Sequence, residues 1–90
     1  MSVTWDPRKA VANRKKHGVD FAEAASVFLD PLSTTFPDPD HSHGEHRYVT
    51  IGQSSRRRIL VVAHADRAGV IRIISARRAS RRERRFYEEG

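Results

Sequence analysis

Ninety residues, 38% of them apolar and 31% charged, have the size of one small domain with a thin core and carry no compositional mark of disorder. The absence of cysteine rules out a disulfide framework and thiolate chemistry, and no apolar stretch approaches the ~20 residues of a membrane span. The formal charge of +6 is segregated: residues 1–45 hold five Lys/Arg against seven Asp/Glu, and residues 46–90 hold twelve arginines against four carboxylates, which points to a polyanionic partner for the second half.

The opening "MSVTWDPRK" has no apolar run with a small-residue cleavage site, so the expected location is cytoplasmic. "VTW" reads as a short strand. "DPRKAVANRKKHG" reads as a helix, with Asp6 as N-cap, Pro7 in the first turn and Gly18 as terminator. "DFAEAASVFLDP" reads as a second helix. Asp20 and Glu23 resemble a capping box, Asp30-Pro31 is a stop, and Phe21, Ala24, Ala25, Phe28 and Leu29 form one apolar stripe. "LSTTF" reads as an edge strand before the polar turn "PDPDHSHGE". "HRYVTIGQ", "RILVVAHA" and "VIRIISAR" are three strand-like runs joined by links short enough for antiparallel hairpins. "RILVVAHA" is apolar on both sides and belongs in the centre of a sheet. "SRRERRFYEE" closes as a helix with Ser80 and Glu83 in an S-x-x-E capping box. The expected fold is a single α+β domain over residues 1–90, with two N-terminal helices, a three- to four-stranded antiparallel sheet and a C-terminal helix.

Six arginines fall between Arg77 and Arg85, where a helix N-terminus already carries partial positive charge. Local pairing of Arg84 with Glu88 and of Arg85 with Glu89 would neutralise two of them. Arg77, Arg78, Arg81 and Arg82 have no such local partner, so an anion is expected at this corner. On the first helix Lys9, Asn13 and Lys16 share a stripe beside His17: either a solvated basic face or one wall of a phosphate groove. Arg47, Arg72 and Arg77 lie on or at the ends of neighbouring strands, with Glu45, His64 and Ser75 near in sequence. The turn "DPDHSHGEH" has metal-ligand residue types without metal-site spacing, and ordinary turn formation accounts for it, so no metal is expected. No phosphate-loop or dinucleotide fingerprint implies a cofactor. RNA supplies its own nucleophile, the 2′-hydroxyl. Orientation, cationic stabilisation of the phosphorane and proton transfer by His17, Glu45, His64, Glu83 or Tyr87 would therefore suffice for cleavage.

"WDPRKAVANRKKHGVDFAEAASVFLDP", "HRYVTIG" and "IRIISARRASRRERRFYEE" resemble, in order and over nearly the whole chain, the BrnT toxins of bacterial type II toxin–antitoxin pairs. The resemblance implies a RelE-like fold and a metal-independent endoribonuclease that arrests translation. It also implies neutralisation by a dimeric ribbon-helix-helix antitoxin like BrnA, through which alone operator DNA would be met. Positions that match the family pattern are Lys9, Asn13, Lys16, His17, Gly18, Arg47, Ser75, Arg77, Glu83, Arg84 and Tyr87.

On this reading Arg47, Arg72 and Arg77 hold the scissile phosphate with help from Arg84, and Tyr87, Glu83 or His17 relays the proton. Lys9, Asn13, Lys16, Arg78 and Arg81 bind flanking RNA. The alternatives are a non-catalytic nucleic-acid binder and a protein-interaction module.

Overall fold

The first helix begins where Asp6, in extended backbone, accepts a hydrogen bond from Arg8 N at 2.8 Å and Pro7 takes the first helical position. In the computed structural model, which describes residues 1–90, this helix α1 spans Pro7–His17. It ends at Gly18, whose φ of +69° suits glycine and whose N–H caps the Arg14 carbonyl at 2.9 Å. Helix α2 spans Phe21–Ser26 and tightens into a 3₁₀ turn over Val27–Leu29.

The capping box expected at Asp20 and Glu23 does not form, because Asp20 makes no side-chain cap bond. Glu23 turns inward and is buried, accepting from Arg58 Nε at 2.9 Å, Arg58 Nη2 at 2.5 Å and Ser54 Oγ at 2.7 Å. A carboxylate out of water needs such partners, and they fasten α2 to a distant turn.

The sheet corrects the expected count and polarity. Strands β1 (Ser2–Trp5), β2 (Thr34–Pro37), β3 (Arg47–Gln53), β4 (Ile59–Arg67) and β5 (Val70–Arg78) stand in the order β1-β5-β4-β3-β2. Strands β2 to β5 are antiparallel neighbours with β4 in the centre, whereas β1 adds a fifth, edge strand parallel to β5. A four-residue strand carries too little periodicity to declare its partner, so this long-range pairing was not visible locally. The β4–β5 hairpin turns through Ala68 and Gly69, at φ +50° and +80°, the signs of a tight type I′ turn. Helix α3 spans Arg81–Glu89 behind the expected capping box of Ser80 and Glu83.

One face of the sheet, with Leu60, Val62, Ile73 and Ala76, packs against Val19, Phe21, Ala24 and Val27 to make the core. The register puts Arg47, Val49 and Ile51, Val61, Ala63 and Ala65, and Arg72, Ser75 and Arg77 on the other face. Strict alternation would separate Arg72 from Ser75. They share a face because the β4–β5 register shifts between Ala63 and His64, leaving Ile74 unopposed as a bulge. Helix α3 lies against β3 at one end of this face, where Ile51 and Val61 are buried, and Phe86 meets Phe36 of β2 with ring centroids 5.5 Å apart.

β1 pairs only with Val70–Ile73, so the outer edge of β5 is unpaired beyond it. Asn13 seals that edge: its Oδ1 accepts from Ala76 N at 3.0 Å, and its Nδ2 donates to Ala76 O at 2.8 Å and to Val19 O at 3.0 Å. Asn13 is buried and its amide is fully used, so the RNA contact expected of it gives way to a structural role. Asn13→Ala would strand two buried backbone groups of Ala76, with an expected loss of about 2–4 kcal/mol. Urea unfolding checks this, and a loss below about 1 kcal/mol would contradict the assignment.

Candidate active site

The Asn13–Ala76 contact sets the basic stripe of α1 beside the bulged part of β5. Lys9, Lys16 and His17 line a cavity of about 210 Å³ whose floor is Ile74 and Ser75. The same two residues form part of a second cavity, about 240 Å³, lined also by Asp38, His41 and Arg47. Three of the expected residues of α1 are thus brought to within one shared floor of Arg47. Between them the linings of the two adjoining cavities hold a strand arginine, two lysines and two histidines, with Ser75 common to both.

Arg72 extends this face. It lies in the same row as Arg47, both opposite Ala65 of β4, which puts the two Cα atoms ~10 Å apart. Glu45 joins them, accepting from Arg72 Nη2 at 2.5 Å and lying 3.5 Å from Arg47 Nε. Those cations, Arg72 first, lower the Glu45 pKa. Glu45 is therefore a carboxylate that orients two arginines. Arg47 Nε is buried, and its ion pair with Glu45 is its only polar contact, with no regular hydrogen bond. Arg72 also lines a cavity of about 390 Å³ with Thr4, Arg67 and Val70.

The C-terminal run is used differently from the expectation. Arg77 shares the face but lies five residues, ~16 Å, along β5 from Arg72, and a different carboxylate holds it. It is engaged by Glu83, with Nη1 and Nη2 donating to the two carboxylate oxygens at 2.7 and 2.8 Å. The Arg77 hydrogen bonds are the main cause of a Glu83 pKa lowered to about 2. Glu83 is thus ionised and doubly bonded, also accepting from Ser80 N at 2.9 Å, and is not free to relay a proton. Tyr87 is engaged elsewhere as well. It donates its hydroxyl to Asp30 Oδ2 at 2.6 Å, and burial first, then that carboxylate, push its pKa to about 12.

Arg84 and Arg78 line a separate cavity of about 300 Å³ with Arg57, Arg58 and Glu88, at the far end of the strands. From Ala65 to Ile59 along β4 that is ~20 Å from the Arg47 row. Arg84 and Arg78 do not join the Ser75 floor. Arg81 is exposed on the first turn of α3 and makes no ion pair. The alternative of local i, i+4 pairing along α3 does not form; Glu83 pairs instead with Arg77. His64 lies on the core face, buried, with Nε2 2.8 Å from Thr50 Oγ1 and Nδ1 2.9 Å from Asp66 Oδ1. In the "DPDHSHGEH" turn no three metal-ligating side chains gather. Reading the sequence alone gave no role to His41 or to the bulge at Ile74. Asp38, three positions before His41, was the available local signal.

A family model described as the ribonuclease toxin BrnT of type II toxin–antitoxin systems matches residues 5–83. The match ends at Glu83, leaving Arg84 and Tyr87 outside it. Among solved structures, the crystal structure of the Brucella abortus ribonuclease toxin BrnT is similar, with 27% identity and a TM-score of 0.70 over 90% of this chain and 99% of that one. No curated protein matches the chain.

The Arg77–Glu83 pair has a pH consequence. A carboxyl depressed from 4.5 to about 2 contributes stability that is complete above its ordinary pKa and fades as pH falls toward 2. With the Arg77 side chain 46% exposed, solvent screening leaves on the order of 1–2 kcal/mol. Glu83→Gln is expected to flatten the loss of stability between about pH 4.5 and 2 by that amount in denaturant titrations. An unchanged slope would show that the pair contributes nothing.

Proposed function

The chain belongs to the BrnT family, ribonuclease toxins of type II toxin–antitoxin systems, and we propose that it is a metal-independent endoribonuclease acting at the Ile74–Ser75 floor. The observation that carries this reading is the sharing of that floor by two cavities, one bringing Lys9, Lys16 and His17 from α1 and the other Arg47 from β3. Family membership implies an RNA substrate and an antitoxin partner. We assign that partner to the ribbon-helix-helix type, as a dimer through which alone the toxin meets operator DNA.

The chemistry follows from charge and position. A bound RNA strand lays a phosphodiester over Ser75, and its own 2′-hydroxyl attacks in line. Negative charge accumulates on the non-bridging oxygens of the phosphorane. Arg47, which lines the cavity with Ser75, is placed to meet it. Lys9 and Lys16 hold the neighbouring phosphates on one side, while Arg72, kept in line by Glu45, holds them on the other. His17 reaches the same floor as a proton-transfer group. Because the nucleophile belongs to the substrate, neither a protein nucleophile nor a metal hydroxide is required.

Arg47→Ala is expected to lower the rate of cleavage of a short RNA about 10²–10³-fold, the usual cost of losing one transition-state donor. The Lys9→Ala/Lys16→Ala variant should mainly weaken RNA binding and reduce its salt dependence by about two charges. Cleavage should survive excess EDTA and yield 2′,3′-cyclic phosphate ends on a gel. Arg47→Ala at the wild-type rate, or abolition by EDTA with recovery on adding a divalent cation, would overturn the assignment.

A further inference from the structure

The turn between β2 and β3 has a geometry that gives it a task. We infer that His41, oriented by Asp38, is a catalytic proton-transfer group of this ribonuclease, working across the Ser75 floor from His17; the inference rests on the ribonuclease reading. His41 Nδ1 lies 3.0 and 3.2 Å from the two carboxylate oxygens of Asp38. Bonding to the carboxylate puts the proton on Nδ1 and leaves Nε2 as the free, basic nitrogen. A surface histidine with no such partner would have no fixed tautomer or direction.

The turn is also fastened to the strand that carries Arg47. Asp38 N donates to Arg47 O at 2.8 Å, Ser42 Oγ donates to Asp38 O at 2.7 Å, and Arg47 N donates to Ser42 Oγ at 3.0 Å. These three bonds fix the Pro39–His41 3₁₀ turn relative to the Arg47 backbone, so imidazole and guanidinium line one cavity with Ser75. The titratable or charged groups that face this cavity with His41 are Asp38 of its own turn and Arg47 and Tyr48 of β3. β5 contributes Ile74 and Ser75, and β4 Ala63. His64 also pairs its Nδ1 with a carboxylate, Asp66 at 2.9 Å, but it is buried on the core face with Nε2 taken by Thr50 Oγ1, whereas His17 lines the neighbouring cavity that shares Ile74 and Ser75.

The step balances without a co-reactant. His41 Nε2 accepts the proton of the 2′-hydroxyl as that oxygen forms a bond to phosphorus. The bond from phosphorus to the 5′-oxygen breaks, its electron pair leaves with that oxygen, and protonated His17 delivers a proton there. The products are a 2′,3′-cyclic phosphate and a free 5′-hydroxyl, with His41 protonated and His17 neutral until solvent exchanges the two.

The test uses the full chain and a short RNA at saturating concentration. His41→Ala should reduce kcat about 10²–10³-fold, within the usual range for a general base, and change KM less than about threefold. The acidic limb of the kcat–pH profile should vanish, and added imidazole should restore part of the rate. As a readout independent of cleavage, binding of an RNA with 2′-deoxyribose at the cut site should shift the His41 imidazole resonances in the wild-type protein. His41→Ala with a wild-type rate and pH profile would overturn the inference while the ribonuclease reading stands. Wild-type protein that cuts no RNA would overturn that reading, and the inference with it.

Discussion

The site depends on one side-chain amide satisfying the edge of a strand. β1 is too short to accompany β5 along its length, and an unpaired N–H and C=O in a buried setting are costly. Asn13 supplies both complementary groups to Ala76 and so acts as a one-residue strand. Because Asn13 sits in the middle of α1, this contact also fixes where Lys9 and Lys16, four before and three after, stand relative to the sheet. The bulge at Ile74 completes the placement by turning Ser75 onto the face that carries Arg47 and Arg72. Core packing, edge sealing and charge placement are consequences of the same few bonds.

The arginines divide by their partners. Arg58 is held by buried Glu23 and fastens a turn to α2. Arg77 is held by Glu83 and fastens α3 to β5. Arg72 is held by Glu45 but stays half-exposed in line with Arg47, positioned and not consumed. The conspicuous C-terminal run is therefore partly structural. Besides that ion pair and the capping box at its start, its helix is held by the Phe36–Phe86 contact and the Tyr87–Asp30 hydrogen bond. In that position it covers one end of the sheet face and leaves the other end, with the Ser75 floor, uncovered.

Much of the local structure was legible because its causes are local. Asp6-Pro7, Gly18, the Ser80–Glu83 box, the two short hairpin links and the central place of "RILVVAHA" all follow from neighbouring residues. The misreadings share a different origin. Asn13 with Ala76, Glu23 with Arg58 and Tyr87 with Asp30 join residues 63, 35 and 57 positions apart. No periodicity announces such pairs. Asn13 on a basic stripe looks like a surface residue until β5 is known to lie against it. Arg77 looks like a free cation until the hinge at Ser80 brings Glu83 back to it. Of the candidate site, the basic wall of α1 and Arg47 were readable from the sequence. The bulge that turns Ser75 toward them was not, because an inserted residue in a strand leaves no mark in an alternating apolar pattern.

We place RNA over the Ser75 floor, between α1 and β3, and not along the outer arginines of α3. A crystal structure of the protein with an oligonucleotide made uncleavable by 2′-O-methylation tests it directly. The expected result is the central phosphate against the Arg47 guanidinium, above Ser75, with the backbone continuing to Lys9 and Lys16. An oligonucleotide bound along Arg81, Arg82 and Arg85, with both cavities beside Ser75 empty, would contradict it.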